Sequence, residues 1–123
     1  MACRVLQLVM LLLLIPLAAS AQCPGATTTL VPFATEQVVV SASVTSLTQA
    51  IYKPSGVTPI LAIVSTQGGT IHYLEVGTPT PTYGHTVASP ATFAICGIDS
   101  IAGFKAIRLN TDTTLTITYY KLK

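Results

Sequence analysis

Charge is scarce in this sequence. Only 8% of the 123 residues are Asp, Glu, Lys or Arg. Beyond the first 21 residues, five bases (Lys53, Lys105, Arg108, Lys121, Lys123) face four acids (Glu36, Glu75, Asp99, Asp112), so the net charge is 5 − 4 = +1. Neutralising a phosphate backbone or coating an anionic membrane takes dense basic patches, which excludes nucleic acid as a partner. Tryptophan is absent and strong helix formers are few, whereas threonine occurs nineteen times. That balance argues against a helical bundle and for pleated strands, where β-branched side chains pack well.

Catalytic and metal-binding chemistry is equally thin. Three cysteines and two histidines show no C-x-x-C or H-x-x-x-H spacing, so neither a metal nor a cofactor is expected. No serine lies in a G-x-S-x-G elbow, and Glu75 and Asp99 stand alone rather than as a carboxylate pair. A set of Ser89, His85 and Asp99 can be drawn, but His85 directly after Gly84 reads more simply as a turn residue. The expectation is a protein that is not an enzyme.

The one long apolar run lies at the N-terminus. Arg4 precedes residues 5–17, which are apolar except for Gln7, and Ala19-Ser20-Ala21 then supplies an A-x-A cleavage site. The run is shorter than the roughly 20 residues that a spanning helix needs. Residues 1–21 are therefore expected to be a removable signal peptide and residues 22–123 a single domain with no stable membrane anchor. Gln22, not a small residue, precedes Cys23, which argues against a lipid anchor. Export to a periplasmic, extracellular, virion or cell surface follows. Cys3 leaves with the signal, and the mature chain keeps Cys23 and Cys96. These two either pair, closing a loop worth about 4 kcal/mol in chain-entropy models, or remain separate thiols.

Short strands recur along the mature chain. Residues 28–33 form a candidate first strand that Pro32 assigns to an edge. Residues 37–47 alternate Val38, Val40, Ala42 and Val44 with Ser41, Ser43 and Thr45, which predicts a strand with one apolar face. Residues 59–66 are apolar on both faces and are expected to be central. Gly68-Gly69 suits a hairpin turn into a partner strand at 70–76, and 92–96, 104–109 and 114–121 complete the set. Asn110 to Thr113 is expected to turn the last hairpin. Seven or eight such strands predict an all-β domain, an antiparallel β-sandwich or jelly roll.

Residues 77–84 read Gly-Thr-Pro-Thr-Pro-Thr-Tyr-Gly, followed by His85. Two prolines so close cannot join a ladder, which predicts an exposed loop forming the functional edge of the domain. Within it, Tyr83 is the best contact residue, with Thr80, Thr82 and His85 beside it. A glycan-binding reading would use Tyr83 as a stacking platform; the plainer reading is a loop that caps the sandwich.

The stretch 71–121 carries Glu75-Val76-Gly77-Thr78-Pro79-Thr80-Pro81-Thr82-Tyr83-Gly84-His85 and, near its end, Phe104-Lys105-Ala106-Ile107-Arg108 before a threonine-rich strand with Tyr119-Tyr120. Over these roughly 50 residues the chain resembles small β-sandwich proteins encoded by tailed bacteriophages. That resemblance implies a structural or accessory virion component without a catalytic site, and the export signal is a departure from the pattern. Two roles are open: a self-associating structural or attachment module, because an apolar fraction of 50% leaves surface a monomer covers poorly, and a monomeric secreted domain that binds a glycan or a surface protein.

Overall fold

The computed structural model describes Cys23 and residues 29–123; the expected signal peptide, its cleavage site and residue 28 lie outside the described residues. Eight strands and two short helices follow in order: β1 (Leu30–Val40), β2 (Thr45–Ser46), α1 (Gln49–Tyr52), β3 (Leu61–Gly68), β4 (Thr70–Leu74), β5 (His85–Ala88), β6 (Ala91–Cys96), α2 (Ile98–Gly103), β7 (Lys105–Arg108) and β8 (Thr113–Leu122). They form two antiparallel four-stranded sheets, ordered β1-β8-β3-β6 and β2-β7-β4-β5. The apolar faces of both sheets supply one buried cluster, which includes Ile71, Ile95, Ile101, Phe104, Leu115, Ile117 and Tyr119. Fully burying each such side chain contributes about 1.5–3 kcal/mol.

Most connections cross between the sheets, and this corrects several local expectations. The segment predicted at 28–33 and the first part of the one predicted at 37–47 are one edge strand, β1, with a register shift between Pro32 and Ala34 that absorbs Phe33, whereas Thr45–Ser46 of the second segment is β2 of the other sheet. β1 ends at Val40, where the chain turns out of the first sheet. The Ser43 amide donates to Ser41 Oγ at 3.2 Å, and Val44 is exposed at the corner. A hydroxyl-rich segment makes this bend because serine side chains replace the lost ladder bonds. The expected central strand is β3, seated between β8 and β6.

The Gly68-Gly69 turn is a corner rather than a hairpin, because β3 and β4 belong to different sheets. Gly68 lies at φ +113°, and a Cβ on Gly69 would meet Asn110 and Thr111. The 110–113 turn likewise joins β7 to β8 across sheets, with no residue other than glycine at positive φ among the described residues. These corners lock together: Gly69 N donates to Thr113 Oγ1 (3.1 Å), Thr70 N to Asn110 Oδ1 (3.0 Å), and Ser89 Oγ to the Gly69 carbonyl (2.7 Å). Tight corners thus gather at one end of the sandwich. The longer connections containing α1, α2 and residues 75–84 gather at the other.

One carboxylate enters the core. Glu36 lies in phase with Val38 and Val40 on the inner face of β1 and is 7% exposed. Its Oε1 accepts a hydrogen bond from the buried Tyr119 hydroxyl and another from the Thr48 amide at 3.1 Å. The carboxylate therefore ties β1 to β8 and to the start of α1. Burial above all, reinforced by the hydrogen bond to Glu36 and its charge, pushes the Tyr119 phenol well above its ordinary value of 10.0. An unfolded chain releases that proton above about pH 10 while the folded domain keeps it. Stability is then full below pH 10 and falls as pH rises further, by about 1.4 kcal/mol per pH unit. Urea unfolding between about pH 9 and 11.5 is expected to show this decline, shallower in Tyr119→Phe; equal slopes would contradict the assignment.

The outer face of the β1-β8-β3-β6 sheet carries no charge over its central rows. Register aligns Thr35, Thr118, Ile63 and Ala94; then Gln37, Thr116, Ser65 and Thr92; then Val39, Thr114 and Gln67. Hydroxyls meet across strands at 3.3 Å (Thr35 and Thr118) and 3.2 Å (Ser65 and Thr92). Apart from Glu36 in the core and the Arg108–Asp112 ion pair at the corner end, the charges lie at the opposite end. They are Lys53, Glu75, Asp99, Lys105, Lys121 and Lys123.

Candidate functional site

Among consecutive strands, only β4 and β5 pair as a hairpin, and residues 75–84 are its loop. Sequence dictates the tip. Pro81 pre-sets its φ, and Thr80 and Tyr83 exchange backbone hydrogen bonds around it, Thr80 N to Tyr83 O at 2.9 Å and Tyr83 N to Thr80 O at 3.1 Å. Thr80 Oγ1 accepts from the Thr82 amide and contacts the Thr82 hydroxyl, both at 3.3 Å. Thr80, Thr82 and Tyr83 therefore share one turn, with Tyr83 66% exposed.

His72 fixes that turn to the domain. Its Nδ1 lies 3.1 Å from the Thr80 carbonyl and its Nε2 lies 2.8 Å from Thr86 Oγ1. A carbonyl only accepts, so Nδ1 carries a proton and donates, and in the neutral ring Nε2 accepts from Thr86. His72 projects from the outer face of the β2-β7-β4-β5 sheet, opposite the side of the core residue Ile71. The loop accordingly folds back over that face. Pro79 is buried, which corrects the expectation that all of 77–84 is exposed. Gly84, at φ +148°, passes so close to β4 that a Cβ would lie 2.9 Å from that of His72.

His85 goes elsewhere. It sits opposite Tyr73 in the β4–β5 register, on the other side of β5 from Thr86, and its ring centroid lies 5.4 Å from that of Tyr73. Tyr73 in turn stacks on Phe93 at 4.9 Å and on Phe104 at 5.5 Å. His85 is thus the exposed end of an aromatic column reaching into the core, not a member of the threonine turn. Burial, then the nearby negative charge of Glu75, raises the Tyr73 phenol above its ordinary value. Ser89 lies at the far end of β5 from His85, with its hydroxyl donated to Gly69, and Asp99 is on α2. The three are not assembled.

The sequence pattern carries the strand through Val76 and gives no sign of that side chain's exposure. β4 ends at Leu74, and Val76 in the same loop as Tyr83 is 86% exposed. The preceding strand end is marked by Gly103 of α2, where a Cβ would collide with the Glu75 carbonyl. At this end of the sandwich there is also an open cleft lined by Gly56, Val57, Thr58, Ile60, Lys121 and Leu122. Cys23 and Cys96 form a disulfide with Cα atoms 5.3 Å apart, at the last residue of β6.

Among the described residues, no group of three or more His, Cys, Asp or Glu side chains is placed to hold a metal ion, and no helix is long and apolar enough to cross a membrane. No family model, curated protein or solved structure matches the chain.

Proposed function

We propose that this chain is an exported, non-catalytic β-sandwich protein acting as a structural or surface-attachment module, similar to the accessory proteins of tailed-phage virions. The observation that carries the reading is the segregation of charge. A broad sheet face with no ionised side chain can meet a second copy without desolvating a charge, while the charged end that bears Tyr83 and Val76 stays in solvent. The disulfide supports export, since such bonds persist in oxidising compartments. The strand order supports a jelly roll: β1 pairs with β8, β2 with β7, β3 with β6 and β4 with β5, as in one long hairpin folded over on itself.

Thr116 lies in the middle row of the uncharged face and is exposed. Thr116→Lys is expected to shift sedimentation to the monomer while leaving the circular dichroism spectrum unchanged; an unchanged sedimentation coefficient would contradict the proposed interface. A monomeric domain that binds a glycan or a surface protein is the second reading, favoured by the exposure of Tyr83 beside the Thr80 and Thr82 hydroxyls. Under either reading Tyr83→Ala should leave the melting temperature within about 2 °C, because exposed side chains away from special backbone contribute little to stability. Attachment to cells or particles should weaken. Unfolding of the Tyr83→Ala protein would show that this side chain has a structural role instead.

A further inference from the structure

We infer that Thr78 and Thr82 are acceptor sites for O-linked sugar transfer from a nucleotide-sugar donor. The inference rests on the proposed export, because such transfer accompanies secretion. Thr78, Thr80 and Thr82 are all exposed, and Pro79 and Pro81 separate them in a stretch free of charge from Val76 to Gly84. Alternating threonine and proline is the composition of O-glycosylated stalks, and here it lies in an exposed hairpin loop.

The geometry ranks the three hydroxyls. Thr80 is the most constrained: its amide and carbonyl bond to Tyr83, the carbonyl also accepts from His72, and its hydroxyl accepts from the Thr82 amide. The Thr78 hydroxyl makes no hydrogen bond within the described residues, and Thr82 Oγ1 has only the 3.3 Å contact with Thr80. Exposed threonines of the sheets, such as Thr35, Thr92 and Thr116, have backbones committed to ladders that a transferase would have to open. His72 and the buried Pro79 hold the loop on the domain and leave Thr78 and Thr82 exposed on either side of Thr80.

In the transfer, threonine Oγ forms a bond to the anomeric carbon as the bond from that carbon to the nucleotide diphosphate breaks. The hydroxyl proton leaves to the transferase base, and the nucleotide diphosphate departs with the bonding pair. No redox partner is required.

The test has two arms. Protein secreted by animal cells that express the whole chain is digested with glutamyl endopeptidase, and the fragment beginning at Val76 is weighed. Unglycosylated folded protein is separately incubated with UDP-N-acetylgalactosamine and a polypeptide N-acetylgalactosaminyltransferase. The expected result in both arms is the added mass of one or two N-acetylhexosamine residues at Thr78 and Thr82, lost in the Thr78→Val, Thr82→Val double variant. An unmodified fragment from secreted protein, or sugar confined to other threonines, would overturn the inference. If the cells retain the chain with residues 1–21 attached, the export reading fails, and the second arm still decides whether the folded loop is an acceptor.

Discussion

Replacing Glu36 with alanine is expected to destabilise the domain by about 3–5 kcal/mol, the combined cost of a core cavity and two stranded donors. The Tyr119 hydroxyl and the Thr48 amide both donate to the same oxygen, Oε1. Removing that oxygen leaves a buried phenol and a helix-start amide without partners. Glu36→Gln separates size and hydrogen bonding from charge. Its amide oxygen can accept both bonds, and it carries no ionised group into the core, so it should stay within about 1 kcal/mol of the native protein. Urea denaturation at neutral pH measures both variants. A large loss in Glu36→Gln, or none in Glu36→Ala, would contradict the role assigned to this residue.

The second large effect is expected at the disulfide. Cys96→Ser should cost about 2–5 kcal/mol, since the bond joins residues 73 apart and chain-entropy models assign about 4 kcal/mol to closing such a loop. Cys23→Ser and the double substitution should cost the same as Cys96→Ser, because each removes one and the same cross-link. Additive losses would mean that the two sulfurs stabilise the fold separately. Peptide mapping without reductant should recover the linked pair from exported protein, and two alkylatable thiols would show that no bond forms there.

What the sequence disclosed followed from local periodicity. Period-two alternation in residues 114–121 marks β8, and the unbroken apolar run in 59–66 marks β3 and placed it inside a sheet. Partner choice was not legible in the same way. Gly68-Gly69 suits a hairpin and a sheet-to-sheet corner equally, since both need a tight turn with positive φ, and only the tertiary pairing decides between them. Strand β5 escaped because four residues with Val87 as the sole large apolar side chain give no period. The helices α1 and α2 are each under two turns, too short for a 3.6-residue repeat.

The candidate site was legible in the same partial way. Proline and glycine in 77–84 foretold an exposed loop with Tyr83 outward, but not the turn at its tip, nor that His72 would pin it or that Pro79 would be buried, because these depend on what the loop lands on. Thr80, Thr82 and Tyr83 are contiguous and stayed together. His85 separated from them because strand alternation turns it toward Tyr73. Glu36 did leave a signal, as a charge in phase with Val38 and Val40 on an otherwise apolar strand face.

Light scattering coupled to size exclusion, over a dilution series of the secreted protein, tests the proposed self-association most directly. The account predicts a dimer or larger assembly at micromolar concentration that dissociates on dilution and is lost in Thr116→Lys. A monomer at every concentration would contradict it.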